Sequence, residues 1–154
     1  MLMKRIFVIS DLHNCHKLHL RKYMQKCDIL IIPGDISNQY DGILNYIDIF
    51  KEYSQHQIYV PGNHEYLKCK TIDDYYNFTD KIKDLGVQYD FHVLQSDVLE
   101  LYNYRFIGCT LWSHLSTPSL LNNQINKLFH NDVVWLSKNM KQDDIVITHY
   151  LPIP

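Results

Sequence analysis

Contiguous apolar runs alternate with helix-like segments through the first part of the chain. The runs lie within 4–10, 28–33 and 57–60, and the segments between them, 16–26 and 41–53, carry apolar residues every three or four positions. Contiguous apolar residues predict strands that are covered on both faces, whereas the spacing of three to four predicts amphipathic helices. The alternating order predicts βαβ units, and therefore a parallel sheet.

The pattern changes in the second half, where short apolar segments follow one another closely. A helix is predicted to begin at the capping box Thr71-Ile-Asp-Asp74 and to end at Gly86. The next three segments predict antiparallel strands of a second sheet, at 91–94, 97–101 and 104–111. Thr117-Pro118 predicts the start of another helix, and a shorter helix is predicted over 133–140.

Side chains that can bind a metal follow every predicted strand of the first half. Asp11 and His13 follow the first strand, and Asp35 ends the second in Pro-Gly-Asp. The third leads into Pro-Gly-Asn-His-Glu, in which the glycine permits a sharp turn before Asn63 and His64. Because ligands of such sheets bind at the carboxyl ends of the strands, we expect these donors to converge. Asp11 and His13 are two apart, so a continued strand would point both the same way.

Each of these motifs also has an ordinary alternative. Asp11 is typical of a helix cap, His13 of a surface histidine, and Gly-Asn-His of a plain turn. One more apolar strand, over 144–148, ends at His149 and adds a fourth strand end that carries a donor. Taken together, donors at four strand ends indicate a metal site.

Composition and charge narrow the functional classes. The 154 residues suit one domain spanning 1–154, and the formal net charge of −2 with no basic face does not indicate nucleic-acid binding. The apolar run after Lys4 and Arg5 is too short for a signal peptide, and no run could span a bilayer, so we expect a cytoplasmic protein without membrane contact. The four cysteines form no Cys-x-x-Cys pair, which indicates free thiols.

The metal-binding motifs Asp-x-His, Gly-Asp, Gly-Asn-His-Glu and Thr-His follow one another in this order, and they resemble those of the calcineurin-like metallophosphoesterase superfamily. The resemblance extends over nearly the whole chain. The resemblance to its compact bacterial members includes Phe91-His-Val-Leu, Arg105-Phe-Ile-Gly-Cys-Thr-Leu-Trp112, Trp135-Leu136 and Ile145-Val-Ile-Thr-His-Tyr-Leu-Pro152. It implies an α/β fold with four layers in the order α/β/β/α. It also implies a hydrolase, a phosphatase or phosphodiesterase, with a dinuclear metal centre.

The resemblance implies a role for each donor. The implied metal ligands are Asp11 and His13 for one ion, Asp35 as a bridge, and Asn63 and His149 for the second ion. His64 would face the phosphate and act as the catalytic acid, and Glu65 would orient a histidine. Two divalent cations, manganese, iron or zinc rather than calcium, would clamp a small phosphate-ester substrate and activate water for in-line attack.

One motif of the family is not matched. Members usually continue to a Gly-His-x-His turn that completes both metal shells, and nothing after His149 matches it, while Tyr150 stands where a second histidine often follows. We therefore expect either a C-terminally truncated domain, which is favoured, or a degenerate member with incomplete shells. A sheet edge left uncovered would allow two copies of the chain to associate along it. Incomplete metal shells would make hydrolysis weak. The alternative function is a non-catalytic metal-binding or scaffold protein on the same fold.

Overall fold

The computed structural model describes residues 3–117 and 119–152. Within these ranges the elements follow one another as β1 (Ile6–Val8), α1 (Lys17–Arg21), β2 (Cys27–Pro33), α2 (Tyr40–Tyr53), β3 (Ser54–Val60), α3 (Ile72–Tyr89), β4 (His92–Val93), β5 (Asp97–Leu101), β6 (Tyr104–Cys109), α4 (Leu120–Asn139) and β7 (Ile145–Thr148). Strands and helices alternate through the first half, as the apolar pattern predicts. None of the helices in the described ranges is long and apolar enough to cross a membrane.

Two sheets make up the centre of the fold. The first contains four parallel strands in the order β1-β2-β3-β4. The second contains β5-β6-β7, in which β5 runs antiparallel and β7 parallel to β6, so the predicted antiparallel pair is confirmed. The prediction that 91–94 also belongs to the second sheet is wrong. This segment returns from α3 and forms β4 beside β3, because a helical crossover brings the next strand back parallel.

The helices and sheets form the four α/β/β/α layers that the resemblance implies. On the outer face of the first sheet, Leu30 and Ile32 pack with Ile43, Phe50 and Ile82 from the helices. The inner face packs on the second sheet in a cluster of fully or almost fully buried residues that includes Ile29, Ile31, Ile58, Val60, Phe106 and Ile147. Burying such side chains contributes about 1.5–3 kcal/mol each, so this layer holds the two sheets in a fixed relation.

Strand β1 is covered on one face only, contrary to the prediction. The side chains of Ile6 and Val8 remain 38% and 56% exposed. The reason is its position at the edge of the first sheet, since the inter-sheet cluster is formed by residues of β2 and β3 and not of β1. Contiguous apolar sequence predicts burial on both faces but does not distinguish an edge strand from a central one.

Three predicted helix boundaries also differ. Helix α1 is only five residues long. Helix α3 continues through Gly86 to Tyr89 and is capped by Asp90, which adopts the left-handed conformation at φ 52°. The predicted stop at Gly86 is wrong because this glycine serves packing: a Cβ there would lie 2.7 Å from the carbonyl oxygen of Phe91. Residues 120–139 form one helix rather than two, since they contain neither glycine nor proline. The predicted start at Pro118 lies outside the described residues.

Candidate metal centre

The loop after β1 places Asp11 and His13 beside the loop after β2. The strand ends at Val8, and Asp11 and His13 then adopt left-handed conformations at φ 57° and 44°. The backbone N–H of Asp11 donates to the carbonyl oxygen of Gly34 at 3.1 Å, and that of His13 donates to the carbonyl oxygen of Asp35 at 2.9 Å. Strand geometry therefore does not persist to these residues, and a strained turn brings them together instead.

Glu65 connects the loop that follows β2 with the loop that follows β3. Its buried carboxylate accepts hydrogen bonds from the backbone N–H groups of Asp35 and Ser37, both at 3.0 Å, and of Gly62 at 2.7 Å. Burial raises the pKa of this carboxyl group, while the three hydrogen bonds act in the opposite direction. Glu65 thus fixes the backbone around the bridging candidate, and the prediction that it orients a histidine is wrong.

Two glycines allow the loops to approach closely. Gly34 has φ 86°, and a Cβ on it would lie 2.5 Å from Nδ1 of His149. A Cβ on Gly62 would lie 2.2 Å from Oδ1 of Asp35. Any other residue at either position would displace a donor side chain, so the Pro-Gly-Asp and Pro-Gly-Asn motifs have a steric reason.

Asp35 lies at the centre of the site, with its side chain almost completely buried. Its Oδ2 lies 3.7 Å from Nε2 of His13 and 3.9 Å from Nε2 of His64. Its Oδ1 lies 3.5 Å from Nε2 of His149 and accepts the backbone N–H of His64 at 2.9 Å. The two oxygens therefore face different imidazoles.

These separations suit a shared cation better than direct hydrogen bonds. Hydrogen bonds in proteins span about 2.7–3.2 Å, whereas two ligands on one cation with bonds of about 2.0–2.2 Å lie about 2.8–4.4 Å apart. The distance of 3.6 Å from Nε2 of His13 to Oδ1 of Asp11 falls in the second range, as do those around Asp35. Two overlapping triads, each with ligand atoms within 4.8 Å of one another, are His13, Asp35 and His64, and Asp11, Asp35 and His149.

His149 is oriented by a backbone group. Its Nδ1 lies 2.8 Å from the carbonyl oxygen of Pro33, which can only accept, so Nδ1 carries the proton. In the neutral ring, Nε2 then presents its lone pair towards Oδ1 of Asn63 at 3.0 Å and Oδ1 of Asp35 at 3.5 Å. Three lone-pair-bearing atoms that face one another repel unless a cation lies among them, and a carbonyl partner on the other ring nitrogen is typical of metal-binding histidines.

All six donors predicted from the sequence therefore lie around one site. The structure brings together Asp11, His13, Asp35, Asn63, His64 and His149, and their oxygen and nitrogen atoms fit a divalent transition metal. Which of them bind a metal stays a prediction. His64 was expected to be catalytic rather than a ligand, and its ring lies edge-on to that of His13 at 4.5 Å between centroids, within reach of the same oxygen of Asp35.

Thr110, the residue after β6, joins the two sheets behind the site, and sequence reasoning missed it. Its hydroxyl lies 2.8 Å from the carbonyl oxygen of Pro61 and 2.7 Å from Oε1 of Gln95, and its one proton can go to either. Its carbonyl oxygen accepts the backbone N–H of Tyr150 at 3.1 Å. One residue thus contacts the loop that carries Asn63 and the turn that follows β7.

Asp132 of α4 extends this network. Its Oδ2 accepts the backbone N–H of Leu111 at 2.9 Å, and its Oδ1 accepts hydrogen bonds from Nε2 of Gln95 at 3.2 Å and from the Ser96 hydroxyl at 3.1 Å. Burial raises the pKa of Asp132 to about 6, although these hydrogen bonds oppose the effect. The network fixes α4 on the second sheet next to Thr110.

Comparison with known proteins places this architecture in a family. An uncharacterised protein of Acanthamoeba polyphaga mimivirus is 32% identical over 104 residues, which represent 64% of this chain and 35% of the viral protein. The chain thus spans about a third of that relative's length. The structure of a phosphopantetheinyl hydrolase from Mycobacterium tuberculosis is similar with a TM-score of 0.64 at 13% identity, over 94% of this chain and 66% of that one. The model of the calcineurin-like phosphoesterase family matches residues 4–154, and the chain therefore belongs to that family.

Proposed function

We propose that this chain is a metal-dependent phosphoesterase that hydrolyses a phosphomonoester or a phosphodiester at a dinuclear centre. The observation that carries the proposal is the disposition of Asp35, whose two oxygens face different imidazoles at 3.5–3.9 Å. A buried carboxylate with neighbours of this kind on two sides is suited to bridge two cations. Membership of the family supports phosphate esters as the substrate class.

The donors would divide between two ions, with Asp35 shared. Asp11 and His13 would complete one set, because their nearest donor atoms are 3.6 Å apart. Asn63 and His149 would complete the other, with Oδ1 and Nε2 at 3.0 Å. The mixed oxygen and nitrogen donors suit manganese, iron or zinc. Divalent cations held there supply Lewis acidity, which neutralises the charge of the phosphate and lowers the pKa of water.

His64 would hold the proton that the leaving group needs. Its side chain is 39% exposed, and its Nε2 lies 3.9 Å from Oδ2 of Asp35, so it stands at the open side of the site. As the water oxygen bonds to phosphorus and the ester P–O bond breaks, the departing oxygen would take the proton from His64 and leave as an alcohol. The hydrogen bond from its own backbone N–H to Asp35 fixes the position of His64 during this step.

The proposal is tested by metal content and turnover of one set of variants. Purified protein should bind about two divalent ions and hydrolyse p-nitrophenyl phosphate or bis(p-nitrophenyl) phosphate with added Mn²⁺. Asp35→Asn should lose both properties. Asp143→Asn should keep them, because Asp143 is exposed and lies at the opposite end of β7 from His149. Retention of metal by Asp35→Asn would refute the bridging role. Metal binding without turnover of either ester would instead support the non-catalytic alternative.

A second comparison separates acid from ligand at His64. His64→Gln should lower turnover by about 10²–10⁴-fold, the range typical of a lost general acid, and should leave the metal content unchanged. Metal content is measured by elemental analysis after dialysis, on the same sample that is assayed. A loss of bound metal that parallels the loss of turnover would make His64 a ligand, as its place in the triad with His13 and Asp35 allows.

A further inference from the structure

An apolar pocket opens directly beside the candidate metal centre. It lies between α3, α4 and the loops that follow β3 and β6, and it encloses about 250 Å³. Asn63 and Tyr150 belong both to the wall of this pocket and to the surroundings of the centre. A molecule whose phosphate lies among the metal donors therefore has its remaining part next to the pocket.

Aromatic rings line the pocket in a continuous series from the centre inward. The ring of Tyr150 lies 5.1 Å from that of His149 and 6.2 Å from that of Trp112. The Trp112 ring in turn lies 5.8 Å from Tyr66 and 6.1 Å from Tyr75. These centroid distances are those at which aromatic rings attract one another, so a further ring placed among them would find offset or edge-on partners.

The pocket wall offers no charge to a ligand. Its lining within the described residues contains neither an acidic nor a basic side chain, and Leu115, Ile125 and Leu128 supply aliphatic surface. The loop that carries Leu115 is held in place, because Asn126 of α4 accepts the Leu115 backbone N–H at 2.7 Å and donates to its carbonyl oxygen at 2.9 Å. Charged leaving groups such as a second phosphate would lose hydration here without compensation.

The volume admits one ring rather than a large ligand. A closed apolar cavity of about 150 Å³ is enough to bind benzene, and typical pockets for complete ligands begin at about 300 Å³. At about 250 Å³ the pocket therefore fits a single aromatic ring with a short linker. Leu67 and Leu121, both largely exposed, lie at its edge.

Resting on the proposed function, we infer that the pocket binds the uncharged aromatic or similarly apolar part of the phosphate ester, and so selects substrates by their leaving group. A short linker would connect this part to the phosphate, since Asn63 belongs to both sites. Tyr150 would be the specificity-determining contact nearest the phosphate. The pocket thereby disfavours esters of charged alcohols.

The test compares phenethyl phosphate with ethyl phosphate, whose broken P–O bonds both lead to a primary alcohol. Dissociation constants are measured by ligand-observed NMR with Zn²⁺-supplemented protein, and turnover is measured separately by phosphate release. The phenyl group should tighten binding by about 10- to 100-fold, the effect of burying one aromatic side chain. Ile125→Phe should fill the pocket and bring the ratio of the two dissociation constants near one.

Two further variants keep this test sharp. Ile125→Ala, which removes one wall and favours the helix, should lower the ratio several-fold even if the phenylalanine variant does not fold. Val133→Phe, an equivalent change at an exposed position of α4 outside the pocket, should keep the ratio of the parent. A parental ratio below about twofold, or a ratio that survives both changes at Ile125, would overturn the inference. Selective binding without phosphate release would count against the proposed function alone. Phosphate release at equal rates from both esters, at concentrations well below both dissociation constants, would count against the pocket alone.

Discussion

Replacement of Glu65 by glutamine should loosen the metal centre without touching a metal donor. The carboxylate accepts three backbone N–H groups, two at Oε2 and one at Oε1. Glutamine keeps one oxygen for the pair from Asp35 and Gly62, but its amide NH₂ then faces the N–H of Ser37. One charge-assisted hydrogen bond is lost, worth about 1.5–3 kcal/mol.

The loss is partly offset because glutamine carries no charge into the interior. Burial already raises the pKa of Glu65, which means that the ionised form has a desolvation cost that the variant avoids. We therefore expect Glu65→Gln to lower the free energy of unfolding by about 1–2 kcal/mol, or the melting temperature by about 2–8 °C for a chain of this size. The affinity for Zn²⁺ should fall as well, since the Asp35 loop loses part of its support.

Urea denaturation with EDTA present, followed by circular dichroism, measures the stability of the protein without metal. Calorimetric titration with Zn²⁺ measures the affinity of the folded protein. Glu100→Gln is the matched control, because Glu100 is exposed on β5 and should change neither quantity by more than about 0.5 kcal/mol. If Glu65→Gln is as stable as the control variant and binds Zn²⁺ as well as the parent does, the positioning role of Glu65 is wrong.

Two shorter predictions concern Asp132 and Gly62. The pKa of Asp132 is raised to about 6 in the folded state, so its stabilising contribution is fully present below about pH 4 and is lost as the pH rises through 6. Urea denaturation should therefore find the parent about 1 kcal/mol more stable at pH 5 than at pH 7 because of this group. Asp132→Asn should remove that difference. Gly62→Ala should abolish tight Zn²⁺ binding in a calorimetric titration, because its Cβ would lie 2.2 Å from Oδ1 of Asp35; an unchanged affinity would contradict this.

The location of the site could be predicted from sequence because it depends on local patterns and one general rule. Apolar runs locate β1, β2, β3 and β7. The convergence of parallel strand ends brings together the residues that follow β1, β2 and β3, whereas His149 follows a strand of the other sheet and joins them through the packing of the two sheets. For Asp11 and His13 the expected convergence occurs for a different reason. Left-handed backbone at both residues, rather than strand alternation, aims them at Asp35. Asp and His are among the residues that adopt this conformation most often, but their presence alone does not predict the turn.

The features that sequence reasoning missed depend on contacts between distant segments. Glu65 accepts hydrogen bonds from backbone N–H groups 28 and 30 positions away in the sequence. Because every residue type except proline has a backbone N–H, such a partner cannot be recognised from the sequence. The sheet that β4 joins, and the exposed face of β1, follow from which strands become neighbours. The apolar pocket likewise forms only when Tyr75 of α3 meets Trp112 from the loop after β6.

Thr110 provides the most direct test of whether the two sheets act together on the centre. Asn63 follows the first sheet and His149 follows the second, yet their side chains lie 3.0 Å apart, so their separation depends on how the sheets are held. Thr110→Val keeps the shape of the side chain but removes the hydroxyl that faces Pro61 and Gln95. Oε1 of Gln95 would keep the backbone N–H of residue 110 at 2.9 Å, whereas the carbonyl oxygen of Pro61 would lose the hydroxyl. Leaving one buried acceptor unpaired costs about 1–3 kcal/mol.

Thr110→Val should therefore be less stable than the parent by that amount. It should also bind the Zn²⁺ ion held by Asn63 and His149 more weakly than the parent does, with little change for the ion held by Asp11 and His13. The asymmetry arises because Thr110 supports the loop of Asn63 and the turn after His149, but makes no hydrogen bond to the segment that holds Asp11 and His13. Thr117→Val, at an exposed position, is the control. Stepwise calorimetric titration separates the two affinities. An equal weakening of both ions would mean that the change acts through general destabilisation, and the link between sheet packing and one half of the centre would be refuted.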